Sequence, residues 1–246
     1  MFRIDIIKKM NRKKVMITSF VLILLLLIAG YSLFRISKSR TFQFFGEIVP
    51  RIETNEKVVA LTFDDGPTEY TRDVLNTLKE KDIKATFFVM GSELEKRPQI
   101  GEAIAMAGHE IDNHSYSHQR MWFKSQTFIA DEIEKTNTFI RETGYKGDIH
   151  FRPPYGKKLF GLPWYLSQHN IKTIMVDVEP DTYGSEAVFL VEYALENTKP
   201  GSIILLHPNC DTCNGQREAI PKIIDGLQAK GYQFVTVSEL LTYKNK

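Results

Sequence analysis

The 246-residue chain is poor in cysteine, with only Cys210 and Cys213, in the stretch CDTC. Two thiolates cannot complete the four-ligand zinc sites that paired CxxC motifs build. It also lacks a surplus of one charge. Its 32 Lys and Arg face 30 Asp and Glu, a formal net of +2, so nothing marks it as a nucleic-acid binder. Internal repeats and low-complexity tracts are absent, and a hydrophobic content of 43% supports a packed core. Charge is missing altogether from residues 15–34, VMITSFVLILLLLIAGYSLF. Twenty residues at about 1.5 Å each match the ~30 Å hydrocarbon core of a bilayer.

Residues 1–14 hold six Lys or Arg against one Asp, and outweigh Arg35, Lys38 and Arg40 beyond the apolar run. By the positive-inside rule residues 1–14 form a cytoplasmic basic segment and the remainder is exported. The rival is a cleaved signal peptide, whose apolar region usually runs about 7–15 residues before a small-residue site. Ala29-Gly30 is a poor site, so 15–34 reads as an uncleaved transmembrane signal-anchor. Residues 35–54, with Pro50, read as a linker, and 55–246 as the domain. Export permits a Cys210–Cys213 disulfide. Reduced thiols are the alternative. A thioredoxin-like pair is disfavoured because CDTC opens no clear helix.

From Val58 onward short apolar runs alternate with helical patterns. VVALTF, ATFFVM, HEID, DIHF, KTIMVDV, SIILLH and QFVTV read as seven strands. Helices are expected at 69–82, with Val74, Leu75 and Leu78 on one face, from Ser92 as cap toward Ala107, from Ser125, over 186–197, and over 219–230. Alternation of this kind implies a mainly parallel α/β sheet, and seven units suit a closed or nearly closed barrel.

Polar residues gather where these strands end: Asp64-Asp65, DNHSYSH, RPPYG, DVEPD and HPN. In a parallel barrel all strand C-termini share one rim, and that rim carries the active site. Neighbours on a strand point to opposite faces, so Asp64 and Asp65 need not share a task. His114 and His118, four residues apart, suit a metal site that a carboxylate would complete; two surface histidines are the plainer reading. Arg152 suits a carboxylate partner, Tyr155-Gly156 an oxyanion, and His207 protonation of a leaving amine.

TFDDGP, HSYSH, RPPYG and LLH, in this order over about residues 55–243, resemble the polysaccharide deacetylases of carbohydrate esterase family four, the nodulation-factor chitooligosaccharide deacetylase homology domain. The resemblance implies a distorted (β/α)7 barrel and hydrolysis of sugar N-acetyl groups to acetate. It makes Asp64 the base, Asp65, His114 and His118 the ligands of a divalent metal, zinc in the first instance, with cobalt, nickel or iron admitted by the ligand set. Arg152 orients the base, Pro154, Tyr155 and Gly156 form the oxyanion turn, and His207 is the acid. The family's Asp-x-x-Asp-Trp motif is altered here to DVEPDTY. Asp181 is the first choice for its second Asp and Asp177 the second. A membrane-held domain makes peptidoglycan the expected glycan, ahead of chitin oligomers. The alternatives are an O-acetyl xylan esterase and an inactive glycan-binding scaffold. The partners expected are the polysaccharide and the membrane, without nucleic acid.

Overall fold

The computed structural model describes residues 2–244, with side chains from Arg12 onward. Of the basic segment expected at 1–14, residue 1 and the side chains of 2–11 lie outside the described residues, as do residues 245 and 246. Helix α1 (Phe2–Ser37) carries the uncharged run. Between Arg12 and Ser37 it holds an 18-residue window of mean hydropathy 2.4 that is not buried, and this part is long and apolar enough to cross a membrane.

Four parallel strands form the centre of an α/β fold: β2 (Val58–Gly66), β3 (Thr86–Val89), β4 (Glu110–Asn113) and β6 (Ile203–Leu206), in the order β4-β3-β2-β6. β2, β3 and β6 read as near-continuous apolar runs because both faces are covered, whereas edge strand β4 is EIDN. Val59, Leu61 and Phe63 point to one side, under α2 (Thr71–Glu80), α7 (Ala187–Asn197) and α8 (Asn214–Ala229). Val58 and Ala60 point to the other, into a second core with Phe88, Ile203 and Leu205 that α9 (Val237–Leu241) helps close. The period of two thus sorts each strand between an outer and an inner core.

The other expected strands are shorter than their apolar runs. DIHF contributes only single bridges, from Phe151 to Asn113 and to Thr173. The His150 N–H goes to the Asp112 carboxylate at 2.7 Å, and Pro153-Pro154 cannot continue a ladder. KTIMVDV gives β5 (Thr173–Ile174) and a bridge from Val178 to Ile204. Asp177 between them takes the Ile203 N–H on its side chain, at 2.8 Å. QFVTV gives β7 (Gln233–Phe234), paired with β2; Thr236 then caps α9 in a capping box with Glu239.

The stretch 35–54 contains structure that its composition did not suggest. β1 (Ile48–Val49) pairs with β5, and Val49 and Ile52 are buried in the inner core. Buried Lys158 donates its Nζ to the Ser39 carbonyl, and its N–H to the Ser37 carbonyl at 2.9 Å. The helix expected from Ser92 to Ala107 is two helices, α3 (Gly91–Lys96) and α4 (Pro98–Met106). Pro98 has no N–H to continue the first and is well placed to start the second. Ser125 caps α5 (Gln126–Glu142) through the Phe128 N–H, and α6 (Gly161–Gln168) follows. The last long helix begins at Asn214, directly after Cys213, so CDTC does open a helix, and its cysteines form a disulfide.

Candidate active site

Asp64 keeps the inner-face parity of Val58, Ala60 and Thr62, and is buried. Asp65 breaks that parity. Its φ is +67°, and the β2–β3 register shifts between Phe63 and Gly66. A bulge of this kind re-aims a side chain. Both carboxylates therefore face His114: its Nε2 lies 3.6 Å from Asp64 Oδ2 and 3.5 Å from Asp65 Oδ1. Alternation along the strand, which would have parted them, fails at this residue.

Asp64 is held by Arg152 at its side chain and by Asn209 at its backbone. Arg152 Nη1 donates to Asp64 Oδ1 at 2.6 Å and to Thr62 Oγ1 at 2.9 Å. Its guanidinium lies 3.7 Å from the Phe88 ring centroid. Asn209 Nδ2 donates to the Asp64 carbonyl at 2.7 Å, and its Oδ1 accepts from Thr71 Oγ1 at 2.9 Å. Burial alone would push the Asp64 carboxyl up, but Arg152, His114 and His207 outweigh it and hold the group below its usual range. Breaking a buried pair such as Arg152–Asp64 from one side costs about 3–5 kcal/mol.

His114 and His118 come from the loop after β4. Ser115 and His118 both have positive φ, 66° and 56°, a conformation uncommon outside glycine. Side chains brace it: the Ser115 N–H donates to Asn113 Oδ1 at 2.7 Å, the His118 N–H to Ser115 Oγ at 3.1 Å, and Ser117 binds Glu132 through both N–H and Oγ. His114 Nδ1 lies 2.8 Å from the Arg152 carbonyl. A proton on Nδ1 satisfies that carbonyl and leaves the Nε2 lone pair facing Asp65. Burial pushes both imidazoles down, toward the neutral form that binds metals.

Ligand atoms of Asp65, His114 and His118 all lie within 4.8 Å of one another. Asp65 Oδ1 is buried without a hydrogen-bond partner, and burial raises its carboxyl. A buried carboxylate oxygen without a donor, beside two neutral imidazoles, is a donor set that suits a divalent cation.

His207 ends β6. Its Nδ1 donates to Asp181 Oδ2 at 2.7 Å. Burial by itself would lower this imidazole, yet Asp181, Asp64 and Asp65 raise it to about 9. Asp177 stands elsewhere, spent on Ser202 and Ile203 at 2.8 Å each. Tyr155 sits in a left-handed turn, φ 57°, with its ring 4.6 Å from that of His118. Pro154 is buried in this turn, and Pro153 lines the cavity instead.

The cavity, about 540 Å³, gathers Asp64 and Asp65 from the end of β2, His114 and His118 from beyond β4, Arg152 from beyond the bridge at Phe151, and His207 from beyond β6. Lys38, Arg40, Lys157 and Glu179 add a charged rim that the sequence did not signal. Asn209, two residues after His207, and Asn113, just before His114, were also missed, although both sit inside the polar clusters.

Residues 51–174 match the family model described as polysaccharide deacetylase. A peptidoglycan-N-acetylglucosamine deacetylase of Bacillus cereus is 36% identical over 189 residues, 76% of this chain and 69% of that protein. The chain belongs to the polysaccharide deacetylases, carbohydrate esterase family four. Members of this family are metal-dependent, and the enzyme is a hydrolase acting on N-acetyl amide bonds. A solved peptidoglycan N-acetylglucosamine deacetylase in complex with an N-hydroxybenzamide superimposes with a TM-score of 0.74. It is 35% identical and covers 80% of this chain and 93% of its own. A family-four pseudoenzyme of Bacillus anthracis matches with a TM-score of 0.72 and 29% identity, over 84% of this chain and 71% of its own. The deacetylase fold here is α/β, with the site on one end of its parallel sheet.

Proposed function

We propose that this deacetylase removes N-acetyl groups from peptidoglycan outside the cell, held by α1 as a single-pass anchor with its N-terminus in the cytoplasm. Helix α1 has the length and hydropathy for this, and relatives named as peptidoglycan deacetylases support the glycan. We read the ring of strands, linked by the bridges at Phe151 and Val178, as a distorted (β/α)7 barrel.

The observation that carries the reading is the pairing of one carboxylate with Arg152 and of its neighbour with two histidines. Asp65, His114 and His118 would hold a divalent ion, zinc in the first instance. Such an ion supplies Lewis acidity to the acetyl carbonyl and lowers the pKa of a nearby water. Asp64, kept ionised by Arg152, accepts the proton of the water that adds to the carbonyl carbon. The Tyr155 N–H is offered to the oxyanion, since that of Gly156 goes to the Pro153 carbonyl at 2.9 Å. As the C–N bond breaks, His207 gives the Nε2 proton to the departing amine, while Asp181 keeps Nδ1–H in place and stabilises the imidazolium. Acetate and a free amine result.

Acetate release by the full chain in detergent, from peptidoglycan and from N-acetylchitooligosaccharides, tests this. Release that needs added Zn²⁺ or Co²⁺ and is abolished by Asp64→Asn and by His207→Ala supports the reading. A folded, metal-loaded chain inert on both glycans would point to an ester substrate. A folded chain that binds no metal would point to a glycan-binding scaffold.

A further inference from the structure

Helix α1 ends among aromatic rings. Phe34 lies 6.3 Å from Trp122, which lies 5.4 Å from Phe123. Just past the helix end, Phe42 meets Phe44 at 5.4 Å, and Phe44 stacks on Phe160 at 4.5 Å. Trp164, one helical turn beyond Phe160, meets Phe45 edge-on at 5.2 Å. These rings are surface, not core: Phe123 is 80% exposed, Phe42 48%, Trp164 47% and Phe160 45%. A contiguous apolar patch on this scale marks an interaction surface.

Cations border it. Among the described ion pairs none includes Lys38, Arg120 or Lys157. Their described contacts are with rings instead: Lys38 and Lys157 Nζ lie 4.7 and 4.6 Å from the Phe34 centroid, and Arg120 4.6 Å from that of Tyr155. Exposed rings among cations that lack a counter-anion, continuous with a membrane-length helix, match the chemistry of a bilayer interface. There ring bodies reach the acyl boundary and the cations meet lipid phosphates.

We propose that this face beds into the headgroup layer of the bilayer that α1 crosses, so the catalytic domain lies on the membrane with its cleft opening at the surface. Lys38 and Lys157 line both the patch and the cleft, which ties the two together. The proposal rests on the reading of α1 as a membrane span.

The chain has only two tryptophans, and both lie in this face, so tryptophan emission reports on nothing else. Trp122 touches Phe34 and would be near lipid in any pose; Trp164 decides. The full chain, and its Trp122→Phe variant, should be placed in nanodiscs of phosphatidylglycerol and phosphatidylcholine held by a tryptophan-free scaffold, with and without bromine ~5–10 Å below the headgroups. The expected result is co-elution with the discs and a loss of Trp164 emission in the brominated ones. Co-elution with Trp164 unquenched would overturn the proposal while leaving the anchor intact; the domain would then stand off the bilayer or cover this face with another protein surface. A chain that fails to co-elute would remove the anchor reading and the proposal with it. Retained acetate release by Trp122→Phe confirms that the variant is folded.

Discussion

Asp64 and Asp65 show how much one backbone angle can do. The composition of the strand end announced two carboxylates, and in the structure the parity of the strand carries the first onto the inner face. The second reaches the same histidine only because residue 65 adopts φ +67°, and no side-chain pattern encodes that angle. Replacing Asp64 by Asn should remove the proton acceptor and lower kcat by about 10²–10⁴-fold, with bound metal, measured by elemental analysis, retained. Asp181→Asn has a different signature. His207 is raised to about 9 by burial-opposing interactions with Asp181 and the other carboxylates, and as the proposed acid it must be protonated. The alkaline limb of kcat/KM against pH should therefore lie near 9 and move downward in Asp181→Asn. The same pair contributes stability that is whole below the ordinary histidine pKa of 6.5 and is lost as pH rises through about 9.

At the scale of elements, the long apolar runs were legible because burial on both faces leaves an unmistakable signature, as in β2 and β6. Legibility failed where side chains replaced the ladder. Asp177 takes the Ile203 N–H and Asp112 takes that of His150, so two apolar runs that read as strands pair only briefly. The clusters DNHSYSH and HPN pointed to histidines, but their asparagines carry the loops. Asn209 ties the end of β2 to Thr71 at the start of α2. Asn209→Ala should cost about 1–3 kcal/mol, read as a lower denaturant midpoint, and should weaken activity without changing metal content. The Cys210–Cys213 bridge closes a loop of only a few residues, so Cys210→Ser with Cys213→Ser should cost no more than about 2 kcal/mol. Arg217 still donates to the Pro208 carbonyl at 2.6 Å and to the Cys210 carbonyl at 2.7 Å.

For the molecule as a whole, the boundary between α1 and the domain was the least legible feature. Residues 35–54 look like a linker because their apolar residues are scattered among charges. The contacts that order them, with β5 and with Lys158, lie more than a hundred residues away in sequence. A fragment starting at residue 51 loses β1 and the buried Val49; it should be less stable than one starting at residue 38 by at least about 2 kcal/mol, measured by chemical denaturation. Chelation should lower the thermal midpoint of the full chain. Restoring the ion at ~100 times its Kd should return about 2.7 kcal/mol.

The grip of Lys158 on the carbonyls of Ser37 and Ser39 has a consequence for reach. A catalytic domain on a loose tether sweeps a hemisphere above its anchor and works on whatever glycan drifts through that volume. Here the tether is clamped at its first turn, so an enzyme anchored through α1 explores a plane by lateral diffusion and hardly any height. Its product would be layered: free amines laid down in a thin sheet nearest the membrane, thinning outward as the wall leaves the plane the enzyme patrols.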